Sequence, residues 1–366
     1  MTGALPRQES LPVPLLPFPV PVHFVFRGRK GAWPELFDGS SPLDPDAIPH
    51  RIVEVEECWI AQTYLRLRQA GLSVTISDSF RDDAINVVSY HDLAVRDFAV
   101  LPYIVAVQQD AARPEICDRN VVQNELNVHN ANDHFIPHWS QPGLIPRDVE
   151  RGSRIESIAF KGSQCNLYEP FRSPAFLSEL RGQGVELSYD VKENATRSEP
   201  QRWHDYSTSD VVLAVRDATE EDLKLKPASK LVNAWLAGCP ALLGPEPAFR
   251  ALRRGELDYI EVRSPEDVQA AVRKLRQDPS LYQAMVRNGR ERGADFTPQR
   301  ITAAWHRVLA YPAAQDFAIL AARGRLLRRL TRWVSFLQRA PLHMLNRRSY
   351  VKLRDHGFRP ISNRTT

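Results

Sequence analysis

Residues 226–244, KPASKLVNAWLAGCPALLG, decide how the chain is read. The stretch opens on Lys226, Pro227, Ala228, Ser229 and Lys230 and closes on Ala237-Gly238-Cys239-Pro240, followed at once by an apolar Ala-Leu-Leu-Gly. Proline is tolerated in the first helical turn, where the N–H it lacks has no intrahelical partner. A glycine supplies the left-handed residue on which helices end, and a proline just beyond prevents continuation. A helix running straight into a short apolar strand belongs to a layered α/β domain. A first turn that is small, polar and cationic suits an anion, because the unpaired N–H groups and the positive end of the helix dipole already point there. Ser229 can cap the helix or donate to a phosphate oxygen, and Lys230 adds a full charge. Serine and proline are also common at helix starts for capping alone.

The same alternation extends outward in both directions. Upstream, the spacing predicts a strand at 157–162 (SIAFKG), a helix at 173–184, and strands at 185–189 and 210–215 (DVVLAV). Downstream come a helix at 246–255, a strand at 258–262 and a helix at 264–278, the last with Ser264 as cap and Pro265, Glu266 and Asp267 in its first turn. The first half shows a strand near 20–26, a glycine-bearing loop RGRKGAW (27–33) and a helix near 56–70 ended by Gly71. Short apolar runs follow at 72–77, 85–90, 103–108 and 120–124, each ending in polar residues. Buried parallel strands read this way where their C-terminal ends meet a crevice. The proline-punctuated 134–148 reads as a connection. The expected fold class is therefore α/β, with two doubly wound Rossmann-like domains facing across a cleft. The expected organisation is a proline-rich leader (1–19), a first domain (20–142), a linker (143–152), a second domain (153–312) and a basic tail (313–366).

Composition fits this plan. At 43% hydrophobic and 25% charged residues the chain is of globular type, and 366 residues suffice for two cores. Four scattered cysteines form no CxxC pair, which argues against a zinc site or a disulfide framework and fits a reducing compartment. The expected location is cytoplasmic, or peripheral at the inner face of a membrane, since no apolar run is long enough to span one. From Phe317 onward there are twelve Lys/Arg and one acid, Asp355, so these last 50 residues carry +11 and the remaining 316 residues carry −7. Within 320–339, Leu320, Leu326, Leu327, Leu330, Trp333, Val334 and Leu337 share one helical face, and Arg325, Arg328, Arg329, Arg332 and Arg339 the other, with Arg323 and Phe336 as exceptions. That pattern suits either a helix lying on an anionic membrane or one packed back on the body with its basic side exposed. No nucleic-acid motif accompanies the charge.

The segment 209–252 resembles the nucleotide-sugar half of GT-B glycosyltransferases, in which a strand, a polar loop, a helix ending in A-x-G-x-P and a short strand line the donor diphosphate. Residues 237–240 match that ending, and 264–305 resemble the helices that follow it. Gly162 falls where the family has a glycine turn near the phosphates. The resemblance covers about 150–310 and implies a metal-independent, hexosyltransferase-like enzyme with no resident cofactor, a nucleotide diphosphate sugar being its co-substrate. It implies a glycan, lipid-linked or small-molecule acceptor. Retaining members often carry two glutamates separated by seven residues before the A-x-G-x-P ending; here Leu225 and Asn233 hold those positions, so stereochemistry stays open. An epimerase of the same fold, and a non-catalytic sugar-nucleotide-binding protein at a membrane, are the alternatives.

Glycosyl transfer needs the leaving diphosphate neutralised and an acceptor proton removed. For the first task the candidates are Gly162, Ser163, Arg216, Lys226, Ser229, Lys230 and Asn233. Arg216 ends its strand and should project into the crevice, although a surface arginine beside Asp217 would look the same. For the second task the candidates are His91 and Asp92, after the strand at 85–90, and Asp110, after that at 103–108. A histidine has a suitable proton affinity, though a packing histidine would fit the position too. No metal is expected: the acidic DPD (44–46) follows no strand, DSFRDD (78–83) reads as a solvated turn, and His129, His134 and His138 are irregularly spaced.

Overall fold

The computed structural model describes residues 14–38, 43–191 and 202–365. Its first sheet comprises β1 (Val22–Val25), β2 (Thr75–Ser77), β3 (Ile85–Ser89), β4 (Tyr103–Val107), β5 (Arg119–Val122) and β6 (Asp133–Phe135), all parallel, in the order β2-β1-β3-β4-β5-β6. Every residue of β1, β3, β4 and β5 is buried, as expected of a parallel sheet covered on both faces. Successive side chains go to opposite faces. Phe24, Val87 and Val105 pack with Trp59, Leu65 and Trp305 on one face, while Val25, Val88 and Ile104 pack with Phe336 and Ala340 on the other. Strand β6 begins just before the stretch read from sequence as a connection; three residues, two of them polar, carry no periodicity to announce it.

The second sheet comprises β7 (Ser157–Ser163), β8 (Glu186–Val191), β9 (Val211–Ala214), β10 (Ala241–Leu243) and β11 (Ile260–Glu261), in the parallel order β11-β10-β9-β7-β8. Among the described residues, ten α-helices accompany the two sheets: α1 (Gln62–Gln69), α2 (Pro174–Gly182), α3 (Glu220–Leu225), α4 (Ser229–Ala237), α5 (Pro247–Leu252), α6 (Pro265–Gln277), α7 (Pro279–Gly293), α8 (Pro298–Val308), α9 (Ala314–Ala322) and α10 (Arg325–His356). Helix α4 ends on Gly238 at φ 73°, a left-handed conformation that glycine adopts without steric cost. Helix α6 starts on the Ser264 cap, closed reciprocally by Asp267.

The chain returns to the first domain earlier than the boundary at 312 drawn from sequence. Ile301, Trp305 and Leu309 already belong to the first sheet's core, together with Phe317 and Leu320 of α9. The described end of the leader packs there too: Leu16 O accepts from His306 Nε2 at 2.7 Å, and the Phe18 ring lies 5.3 Å from the His306 ring. Leader residues 1–13 lie outside the described residues.

Helix α10 crosses both domains. Arg332 pairs with Asp118 and donates to Val100 O at 2.8 Å, Arg328 donates to Asp82 O at 2.8 Å, and Arg339 donates to Cys117 O at 2.7 Å. Further along, Tyr350 Oη donates to Asp110 O at 3.1 Å in the first domain and lies 3.4 Å from Asp222 Oδ1 in the second. Beyond the helix, Phe358–Arg359 pairs with Arg364–Thr365, and Arg359 reaches Asp217 O. The tail thus packs back on the body, but the expected orientation is inverted. Part of its basic face points inward, where carbonyls and Asp118 need donors, and its leucines point outward.

Candidate functional site

The second sheet reverses direction between β7 and β9: β8 continues on one side and β10 on the other. Doubly wound sheets bind ligands beyond the strand ends at such a switch point. Strand β7 is irregular here. Phe160 pairs with Tyr189 and Ser163 with Val191, so Lys161 and Gly162 together face Asp190. A bulge of this kind frees backbone groups from the ladder. The Lys161 carbonyl accepts from Lys230 Nζ, which also lies 5.0 Å over the Phe160 ring. A Cβ on Gly162 would stand 3.3 Å from Lys230 Nζ and 3.2 Å from Phe160, so glycine is what lets the ammonium approach the strand. Burial, and then the nearby positive Arg216, push the Lys230 ammonium down to about 8. Arg216 forks onto the buried Glu246 at 2.9 and 2.6 Å. Lys161 Nζ lies 3.3 Å from Asp190 Oδ1. Among the described residues, Lys161, Arg216 and Lys230 thus gather beneath the start of α4 with the carboxylates of Asp190 and Glu246, a cationic group suited to an anion.

The start of α4 differs in detail from its sequence reading. Ala228 is the capping position and makes no side-chain cap, so Ser229 is the first helical residue rather than the cap. Ser229 and Lys230 also part company. Ser229 lines an interdomain pocket with Gln123, Asn124, His138, Val232 and Phe296, while Lys230 reaches β7. Asn233 Oδ1 accepts from Gln141 N at 3.0 Å, and Ser163 Oγ lies 3.4 Å from Cys165 Sγ.

The first domain grips the segment leading into α4. Gln123 Nε2 donates to Leu225 O at 2.9 Å, and Asn124 and Asn127 Nδ2 each donate to Lys224 O at 2.9 Å. These amides satisfy carbonyls at the end of α3, which a helix cannot pair internally. Lys226 Nζ bridges Asp110 at 3.0 Å and Asp222 at 3.3 Å. Asp110 follows Gln109, a buried residue at φ 58°; left-handed non-glycine backbone is costly and gathers at functional sites.

His91 and Asp92 follow β3, at the switch point of the first sheet, but have different surroundings. His91 is exposed beside Tyr90, whose ring joins a cluster with Ala111, Leu225 and Tyr350 at the domain junction. Asp92 is buried and accepts from Arg27 N at 2.9 Å and Gly28 N at 3.0 Å, holding the loop after β1. Burial raises its carboxyl despite those two bonds. Among the described residues no three His, Cys, Asp or Glu side chains gather in a group that could hold a metal ion. In DPD, Asp44 caps Asp46 N at 3.0 Å and Asp46 forks onto Arg66 at 2.7 Å to each nitrogen.

Residues 173–307 match the model of a glycosyl transferase-like family. The sucrose-phosphate synthase of Thermosynechococcus elongatus has the same fold, with a TM-score of 0.52 at 10% identity over 82% of this chain and 100% of that one. The chain has a GT-B fold, and over the matched residues its second domain is similar to that family. Anabaena HepE, solved with UDP and glucose, gives a TM-score of 0.47 at 12% identity over 79% of this chain and 99% of its own. AviGT4, a glycosyltransferase involved in avilamycin A biosynthesis, gives 0.45 at 12% identity over 80% and 98%. No curated protein matches the chain.

Within this GT-B chain the sequence reading brought Gly162, Arg216 and Lys230 to one place and missed Lys161, Asp190 and Glu246. Lys161 adjoins Gly162, and its contribution depends on the bulge, which leaves no mark in composition. Glu246 had a signal: an acid directly before Pro247 at a helix start, on the strand-end side of the sheet.

Proposed function

We propose that the chain transfers a hexosyl group from a nucleotide diphosphate sugar to a glycan, lipid-linked or small-molecule acceptor. The observation that carries this is the cationic group of Lys161, Arg216 and Lys230 at the switch point beneath the uncapped start of α4. The bond that breaks joins the anomeric carbon to a diphosphate oxygen, so negative charge gathers on the leaving diphosphate. Fixed cations and helix N–H groups aimed at that charge favour the transition state over the ground state. In this reading the protein's own side chains neutralise the leaving group, with no resident cofactor. His91 takes the acceptor proton. It is exposed at the junction, whereas Asp110 is engaged by Lys226 and Gln123 and Asp92 by the β1 loop. The family match over 173–307 supports the same chemistry.

A thermal-shift screen against a panel of nucleotide diphosphate sugars tests the reading, because a ligand that binds the native state raises Tm. One or more donors should do so, and the same donors should release nucleoside diphosphate when a competent acceptor is supplied. A panel without any shift would overturn the proposal. Interconversion of sugar nucleotides without released diphosphate would turn it into an epimerase.

A further inference from the structure

Helix α10 exposes the face that an amphipathic helix normally hides. Its inward seam, Arg328, Arg332, Phe336, Arg339, His343 and Tyr350, is spent on the body. Its outward side carries Leu326 at 82% exposure, Leu330 and Leu337 at 65%, Leu345 at 58% and Trp333 at 44%. With 32 residues the helix is about 48 Å long. A soluble surface rarely leaves so extended an apolar band uncovered, and such a band marks a partner or a membrane. Charge selects between them. Arg325 and Arg329 at one end, and Arg347, Arg348 and Lys352 at the other, are exposed, and Asp355 is the lone acid from Phe317 onward. Two such faces would bring like charge against like charge, so a second copy is a poor occupant. An anionic lipid surface complements both features: headgroups take the cations and the acyl boundary takes the leucines.

We infer that α10 docks on an anionic bilayer with its outward face down, inserting Leu326, Leu330, Trp333 and Leu337 shallowly and setting Arg325, Arg329, Arg347 and Arg348 on headgroups. Among the described residues no helix is long and apolar enough to cross a membrane, so the helix lies in the interface. Its inward seam stays bound to both domains, so docking requires no unfolding and fixes the orientation of the body above the membrane.

Flotation of the full chain with phosphatidylcholine vesicles, with and without phosphatidylglycerol, tests this without any activity readout. Binding should require the anionic lipid. The L326S/L330S/L337S variant changes exposed side chains alone, so it should keep its Tm while losing about a hundredfold in partitioning. R347Q and R348Q should each lose about fivefold on anionic vesicles. In brominated lipid, Trp333 should be quenched in the parent and spared in the triple variant. A full chain that ignores phosphatidylglycerol vesicles overturns the inference, and so does a triple variant that binds as well as the parent. So too does a dimer in sedimentation velocity that the triple variant dissociates while neither protein binds vesicles: then a second copy covers the face.

Discussion

The two sheets reach their switch points in the same way and fill them with opposite charge. In the first domain the N–H groups of Arg27 and Gly28, at the end of β1, receive the carboxylate of Asp92 from the neighbouring strand's end. The chain supplies its own anion there. In the second domain the corresponding crevice between β7 and β9 holds Lys161, Lys230 and Arg216 beneath a helix start without a side-chain cap. There the chain supplies cations and leaves the anion to a ligand. One sheet topology can therefore make a closed support or an open anion site, and the residues beyond the strand ends decide which. On the proposed reading, chemistry falls to the first domain and donor binding to the second.

The largest expected effect separates those two roles. H91A should lower kcat by about 10²-fold or more, within the range usual for a lost general base, while donor Kd changes less than about twofold. Steady-state kinetics alongside calorimetric titration of the donor would show the split. Loss of donor affinity in step with kcat would erase the division of labour.

Next in size is K230M, which keeps most of the length of the side chain and removes its charge. One charge-assisted phosphate contact contributes about 1.5–3 kcal/mol, so nucleoside diphosphate should bind roughly 10- to 100-fold more weakly. Tm should hold or rise, since methionine has no ammonium to desolvate in that site. Equal dissociation constants for the two proteins would mean that the crevice is not the donor's. D92A makes the converse change in the first domain. It strips the acceptor from two N–H groups and should cost about 1–3 kcal/mol of stability, read as a lower denaturation midpoint. Donor Kd should stay put; a weakened Kd would show that the two switch points are energetically one site.

How much of this was legible beforehand follows from the physics of each signal. Strand and helix order came through because burial on a parallel sheet and capping residues such as Gly238 and Ser264 act locally. The meeting of Gly162, Arg216 and Lys230 came through because all three sit at strand or helix ends on one edge of one sheet. Lys161 did not, because a bulge depends on pairing with β8, some thirty residues away. Nor did the amide clamp of Gln123, Asn124 and Asn127, which exists across the domain junction and leaves no local pattern. In α10, periodicity identified two faces and could not assign the inward one. Leucine inside is the usual outcome, but here Asp118 and open carbonyls on the first domain needed donors that arginine provides.

The smallest expected effect comes from protons on Lys230. Burial and Arg216 hold this ammonium at about 8 in the free protein, below the ordinary lysine value of 10.5. Because the folded value is depressed, the charge is present below about pH 8 and is lost as pH rises through it. The diphosphate of a sugar nucleotide is fully ionised throughout this window, so any change in affinity reports on the protein. Bound phosphate favours the charged lysine and draws its proton back, at a cost of about 1.4 kcal/mol per pH unit above the free value. Donor Kd should therefore be flat from pH 6 to 7 and weaken by up to about tenfold between pH 7 and 9. K230M should abolish that slope, leaving weak binding of constant strength. A slope that survives in K230M would place the titrating group elsewhere in the crevice and remove the link between the buried ammonium and the donor.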